Sequence, residues 1–202
     1  MRFNSYLIAV LAALCLGSVT TRAAESSPQA TVEKLHGALL ETMREGKSLG
    51  YQGRVSKLEP VLRGSFDFST IARLVTGRHW AKLDKAKQQA FITVFTQLSI
   101  ATYADNFSSF SNERFETRGV EDKKNTQLVK TAIVKPDGKE DTLNYALTKS
   151  TDGWRIINVV ADGVSDLSLK RAEYTAVIGS NGIDTLIAKL NAKVASYEAA
   201  NK

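Results

Sequence analysis

The chain has 202 residues, one cysteine, two histidines and 27 Lys+Arg against 21 Asp+Glu, a net charge of +6. Its basic residues are interspersed with acids, as in Glu121-Asp122-Lys123-Lys124, which argues against the basic stripe of a nucleic-acid binder. A single cysteine excludes an internal disulfide framework, so the core must hold the fold.

The N-terminus reads as an export signal. Arg2 is followed by the apolar run Tyr6 to Leu16, which is too short to span a bilayer; Thr21-Arg22-Ala23 or Arg22-Ala23-Ala24 could precede the cut, and the first fits better because its leading residue is the smaller. Cys15 lacks a lipobox, because Ala12 and Leu14 stand where Leu and a small residue are needed, so it is read as part of the signal. Cleavage of residues 1–23 removes Arg2 and Arg22, leaves a charge of +4 and no cysteine, and makes 24–202 the mature domain. About 180 residues suffice for one domain burying roughly 70% of its unfolded surface. The expected location is outside the cytoplasm, where there is no ATP.

The mature chain reads helices, then strands, then helices, an α+β order. A helix is expected from Pro28 to Glu45, with Val32, Leu35, Leu39 and Met43 on its apolar face. Gly46 to Gly53 reads as a loop. A helix from Val55 to Leu62 should bend or break at Pro60. Ser69 can cap a further helix, through Val75, that Gly77 closes. Asp84 is a good N-cap for a long helix reaching Phe107, lined by Phe91, Val94, Phe95, Leu98, Thr102 and Tyr103.

Four strands follow: Arg114 to Val120, Leu128 to Val134, Thr142 to Thr148 and Trp154 to Val160. The turns Pro136-Asp137-Gly138-Lys139 and Ser150-Thr151-Asp152-Gly153 make them an antiparallel meander. Two helices, Ser168 to Ile178 and Ile183 to Tyr197, end the chain, parted by Gly179-Ser180-Asn181-Gly182. Helices lying across one curved sheet can leave an apolar cavity beneath them.

Reacting groups are scarce. His36 and His79 are not at metal-ligand spacing, and His36 reads as a surface or boundary residue. Gly163-Val164-Ser165-Asp166-Leu167 lacks the last glycine of a nucleophile elbow, and no histidine lies downstream. It reads instead as a strand-to-helix turn capped by Ser165 or Asp166. Asp67, Asp84, Asp162, Asp166 and Asp184 lie near turns or helix starts, and no two form a general acid and base. Neither a P-loop nor a dinucleotide fingerprint occurs. No cofactor or metal is expected, and no catalysis. The profile favours binding an apolar molecule, although a filled core would look much the same.

Several blocks resemble one family. Phe66-Asp67-Phe68-Ser69-Thr70-Ile71-Ala72, Gly77-Arg78-His79-Trp80 and Gln88-Gln89-Ala90-Phe91 lie in the first half. Gly153-Trp154-Arg155-Ile156, Ala161-Asp162-Gly163-Val164-Ser165 and Asn181-Gly182-Ile183-Asp184 lie in the second. In order and spacing these are similar to the MlaC, or toluene-tolerance auxiliary, family. The resemblance implies a periplasmic carrier with phospholipid as cargo. Its implied partners are an inner-membrane ABC transporter complex with an MCE-domain protein and an outer-membrane lipoprotein–porin complex. Asp162 to Ser168 is closer to a hopanoid-associated branch, which would change the cargo. The alternatives are an envelope adaptor that binds no lipid, or a small hydrolase or isomerase on a cone-shaped fold.

The pocket is expected between sheet and helices. Phe91, Phe95, Leu98 and Tyr103 would come from the long helix. Leu143, Tyr145, Leu147, Ile157 and Val159 would come from the sheet, with Val164, Leu167 and Tyr174 as far wall or mouth. On this placement Val164→Glu should abolish lipid retention.

Overall fold

A computed structural model describes residues 27–201. The expected export segment at 1–23, with Cys15, lies outside the described residues. The chain is α+β: helices α1 (Pro28–Arg44), α2 (Gly46–Ser65), α3 (Phe68–Thr76) and α4 (Lys85–Asn106) precede the strands. A 3₁₀ turn, Gly77–Lys82, joins α3 to α4. Strands β1 (Arg114–Lys123), β2 (Thr126–Val134), β3 (Glu140–Ser150), β4 (Gly153–Ala161) and β5 (Val164–Ser165) form one antiparallel sheet in sequence order. Helix α5 (Asp166–Ala200) ends the chain.

The fifth strand was not expected. Asp162 and Gly163 both take positive φ, at 47° and 80°, the pair of left-handed residues that closes a tight hairpin. The hairpin folds Val164 and Ser165 back onto Ala161 and Val160.

The segment expected to be a loop is helical. Helix α2 begins at Gly46 and departs from helical geometry only at Gly50, whose φ of 60° and ψ of −179° form a kink. Its buried positions Tyr51, Arg54, Leu58 and Leu62 have helical spacing, disguised in the sequence by the buried arginine. Pro60 does not break the helix, which keeps helical geometry through it. Both Ser56, whose carbonyl loses its donor, and Pro60 are exposed, so water can satisfy the orphan carbonyl. The cap of α3 is Asp67, which accepts from the Thr70 N–H at 2.8 Å, rather than Ser69. Asp84 caps α4, as expected, accepting from the Lys87 N–H at 2.7 Å.

At the C-terminus, α5 runs through Gly179 and kinks only at Gly182, with φ 81°. Ser165 is its N-cap, accepting from the Ser168 N–H at 3.2 Å.

Helices α1 and α2 lie against the sheet, while α3, α4 and α5 pack on one another, and α3 and α5 also pack on β4. One continuous core fills the space between, from Val32 and Leu35 of α1 through Val129, Tyr145, Leu147 and Ile156 of the sheet to Tyr174 and Leu186 of α5. The link from α2 to α3 touches the sheet directly, as Phe66 bridges Ile156 and the Asp67 N–H donates to the Ile156 carbonyl at 3.0 Å. This contact fixes where α3 meets β4.

Candidate functional site

The first turn of α3, the middle of α4, the centre of β4 and the start of α5 converge on one cleft. Phe66, Phe68 and Ile71 form one wall and Phe95 and Ser99 another, with Ile157, Asn158 and Val159 as floor and Asp166 and Leu167 at the lip. Free space at its centre is about 30 Å³, room for a water molecule or two. That is far below the roughly 300–1,000 Å³ of a pocket for a drug-sized ligand.

Asn158 holds the lip in place. Its side-chain oxygen accepts from the Leu167 N–H at 3.1 Å and the Ser165 hydroxyl at 3.2 Å, tying the start of α5 to β4. Asp166 is held at the same lip by its ion pair with Lys170. Polar groups therefore gather at the cleft's edge, and apolar ones behind it.

An aromatic row runs inward from the cleft. Tyr174 packs edge-on against Phe95 and Phe95 edge-on against Phe68, Phe68 stacks on Phe66, Phe66 meets Tyr103 edge-on, Tyr103 stacks on Phe107, and Phe107 leans on Phe115. No step exceeds 6.4 Å between ring centroids. Ring pairs at such distances favour edge-on or offset contact. The row ends where the His36 ring stacks on Phe115 at 3.9 Å.

The tyrosine hydroxyls along this row are held neutral. Burial pushes Tyr103 and Tyr174 above the usual phenol range, and the Asp166 carboxylate adds to both. Tyr145 is raised well above that range, mainly by burial. His36 moves the other way: burial lowers it to about 4, so it is a neutral imidazole at pH 7. It is a core residue, 4% exposed, rather than the surface or boundary residue expected.

Of the twelve site residues expected from the sequence, Phe95, Ile157, Val159 and Leu167 line the cleft. Phe91, Leu98, Tyr145, Leu147 and Tyr174 are buried in the surrounding core, and Tyr103 and Leu143 pack against it partly buried. Val164 stands apart: it is 52% exposed on β5 and outside the cleft lining. The cleft also uses Phe66, Phe68, Ile71, Ser99, Asn158 and Asp166. Phe66, Phe68 and Ile71 stood in the resemblance block but were not placed in the site, because nothing local shows that the α2–α3 link reaches β4.

The MlaC protein family matches residues 33–192. That span covers most of the chain and all of the cleft. The chain belongs to the MlaC family. Among solved structures it is similar to a phospholipid-binding protein from Ralstonia solanacearum, determined in complex with a phospholipid. The two share 20% identity and a TM-score of 0.76, over 85% of this chain and 99% of the other. At that identity the likeness establishes the MlaC fold, helices over one curved sheet. No group of three or more His, Cys, Asp or Glu that could hold a metal occurs among the described residues. No described helix is long and apolar enough to cross a membrane.

Proposed function

We propose that the protein is a lipid carrier that shields acyl chains between the sheet and the helices and leaves the head group at the lip. The observation that carries this reading is the cleft itself: a lining of aromatic and aliphatic side chains, with Asp166 at the lip and only Ser99 and Asn158 as further polar groups. It is supported by MlaC membership and by a fold neighbour solved with phospholipid. The cargo is phospholipid. The working compartment is the periplasm, reached through the N-terminal signal, and the cargo moves between the inner-membrane ABC transporter complex with its MCE-domain protein and an outer-membrane lipoprotein–porin complex.

The physics suits carriage. Each CH₂ removed from water is worth about 0.8 kcal/mol, so acyl chains supply affinity without specific polar bonds. Release then requires few bonds to break. An acyl chain is far larger than the cleft's free space, so the closely packed rings around it must move apart when a chain enters. The reading of the site as a binding site rather than a catalytic one is supported by MlaC membership and by the phospholipid-bound fold neighbour.

Native mass spectrometry of the exported protein purified without detergent, followed by solvent extraction, tests the reading. Stoichiometric phospholipid supports it. A stoichiometric hopanoid would keep the carrier and move the protein to the hopanoid-associated branch. An empty protein that takes no lipid from vesicles would overturn it in favour of an adaptor or enzyme.

A further inference from the structure

A second concavity lies beside the cleft, between the 3₁₀ turn Gly77–Lys82 and α5. Arg78 and Arg171 wall it, and Gly77, Thr175 and Ala176 complete it. Its free volume, about 380 Å³, is far larger than that of the cleft. Both arginines are exposed, and neither guanidinium has a hydrogen bond or ion pair with another described residue. Two unneutralised guanidinium groups on one groove constitute an anion site, and the planar fork of arginine suits phosphate oxygens.

The surrounding sequence keeps the field positive. Phe68 to Leu83 carries Arg73, Arg78 and Lys82 and no acid. The nearby carboxylates are occupied or turned away. Asp84 accepts from the Lys87 N–H, Asp166 pairs with Lys170, and Asp184 pairs with Lys87. Glu173 follows Arg171 by two positions and so projects from the other side of α5. Gly77 also has a steric role: at φ 54°, a Cβ there would lie 3.4 Å from Arg171 Nη2 and 3.6 Å from Thr175 Cγ2. The absent side chain leaves room between the turn and the guanidinium.

The groove adjoins the cleft. Leu167 lines the cleft and Arg171 lines the groove, one turn of α5 and about 6 Å apart. On the other wall, Ile71 lines the cleft and α3 leads from it directly to Gly77. We propose that the Arg78–Arg171 groove takes the phosphate of an anionic phospholipid head group at a membrane surface, and so holds the carrier at the membrane whose complexes exchange its cargo. This rests on the carrier reading above. A protein partner fits less well: interface hot spots pair arginine with buried aromatic anchors, and no aromatic or large apolar side chain lines this groove.

The test is flotation of the purified protein with vesicles of phosphatidylcholine alone and vesicles in which phosphatidylglycerol is one third of the lipid. The wild type should prefer the anionic vesicles, and Arg78→Gln with Arg171→Gln should weaken that binding at least tenfold, on the order expected for two cations at a lipid surface. Lys34→Gln with Lys189→Gln, an equal charge loss at exposed sites elsewhere, should stay within about twofold of wild type, as dispersed charge would predict. Copurified lipid is measured on the same samples. Unchanged lipid content with lost vesicle binding places the defect in the groove and not in the cleft. A wild type free of lipid counts against carriage, while the vesicle comparison still decides the groove. Equal binding to both vesicle types overturns the proposal, as does an unaffected arginine variant or an equal loss in the lysine control. Arginine-dependent binding of polyglutamate, or saturable binding of inorganic phosphate, without anionic-vesicle binding would reassign the groove to an acidic protein or to free phosphate.

Discussion

His36 of α1 and Tyr145 of β3 share a 3.0 Å hydrogen bond inside the core, between two residues that are almost wholly buried. The bond fastens the helix to the middle of the sheet and satisfies polar atoms that would otherwise be costly to bury. Burial of the His36 ring also makes stability depend on acid. The folded imidazole titrates at about 4 against an ordinary 6.5, so below pH 6.5 the unfolded chain binds the proton that the folded chain refuses. The contribution is complete above 6.5, declines as pH falls toward 4, and then levels off. From pH 7 to pH 5 the loss should be about 2 kcal/mol. Urea denaturation at the two pH values measures it. His36→Gln, which can keep a bond to Tyr145 and does not titrate, should flatten the difference; an equally steep dependence in that variant would assign the effect to other groups.

The order and type of the main elements were legible because periodicity announces them. Phe91, Val94, Phe95 and Leu98 mark α4, and Asp84 ahead of them marks its start. The features that escaped are those where tertiary contact overrides a local signal. Gly46 to Gly53 holds three glycines and still begins a helix, since Tyr51, Arg54 and Leu58 bury one face of it. His36 looked polar enough for the surface, and only the Tyr145 hydroxyl, 109 residues away, makes it a core residue. The cleft was half legible for the same reason. Its contributions from α4 and β4 follow from apolar spacing, whereas Phe66 and Phe68 enter it through a bridge to Ile156 that no local pattern encodes.

Arg54 is a buried cation with no carboxylate on it. It is 6% exposed and donates to the carbonyls of Ala104 at 2.7 Å and Gly46 at 3.0 Å and to the Asn201 side chain at 3.2 Å. One guanidinium therefore ties the start of α2 to the last turn of α4 and the residue after α5, and the negative ends of the helix dipoles favour the charge there. Arg54→Ala strands buried carbonyls and should cost about 2–4 kcal/mol. Lysine, with one ammonium in place of a fork, should recover less than half of it. Thermal unfolding of the two variants distinguishes this from simple loss of packing, which lysine would largely restore.

Two glycines in helices should respond oppositely to alanine. A Cβ on Gly46 would sit 2.0 Å from the Ser108 carbonyl oxygen, so Gly46→Ala must push away the segment after α4, at about 1–3 kcal/mol or more. Gly37, exposed in the middle of α1, has nothing within 4 Å of its Cβ position. There alanine only restricts the unfolded chain and improves helix propensity, so Gly37→Ala should stabilise by about 0.5–1 kcal/mol. Equal effects at the two sites would mean that the approach of Ser108 to α2 is wrong.

The placement of Val164 outside the cleft reverses the substitution that the sequence recommended. Val164 is on the two-residue strand β5, half in water, so the carboxylate of Val164→Glu can stay hydrated there. Val159 sits on the cleft floor, opposite Tyr145 in the sheet register. A carboxylate placed there would have to stay hydrated exactly where an acyl chain must exclude water, and desolvating it without a partner costs several kcal/mol. Val159→Glu should therefore lower copurified lipid to below roughly a tenth of wild type, while Val164→Glu retains it. The ratio of extracted lipid phosphate to protein gives the readout, with circular dichroism to show that both variants are folded. Should Val159→Glu fold but lose its packing, Val159→Trp offers a neutral obstruction of the same space, and it too should empty the protein. Lipid retained by Val159→Glu and Val159→Trp and lost from Val164→Glu would move the acyl site from this cleft to the β4–β5 edge.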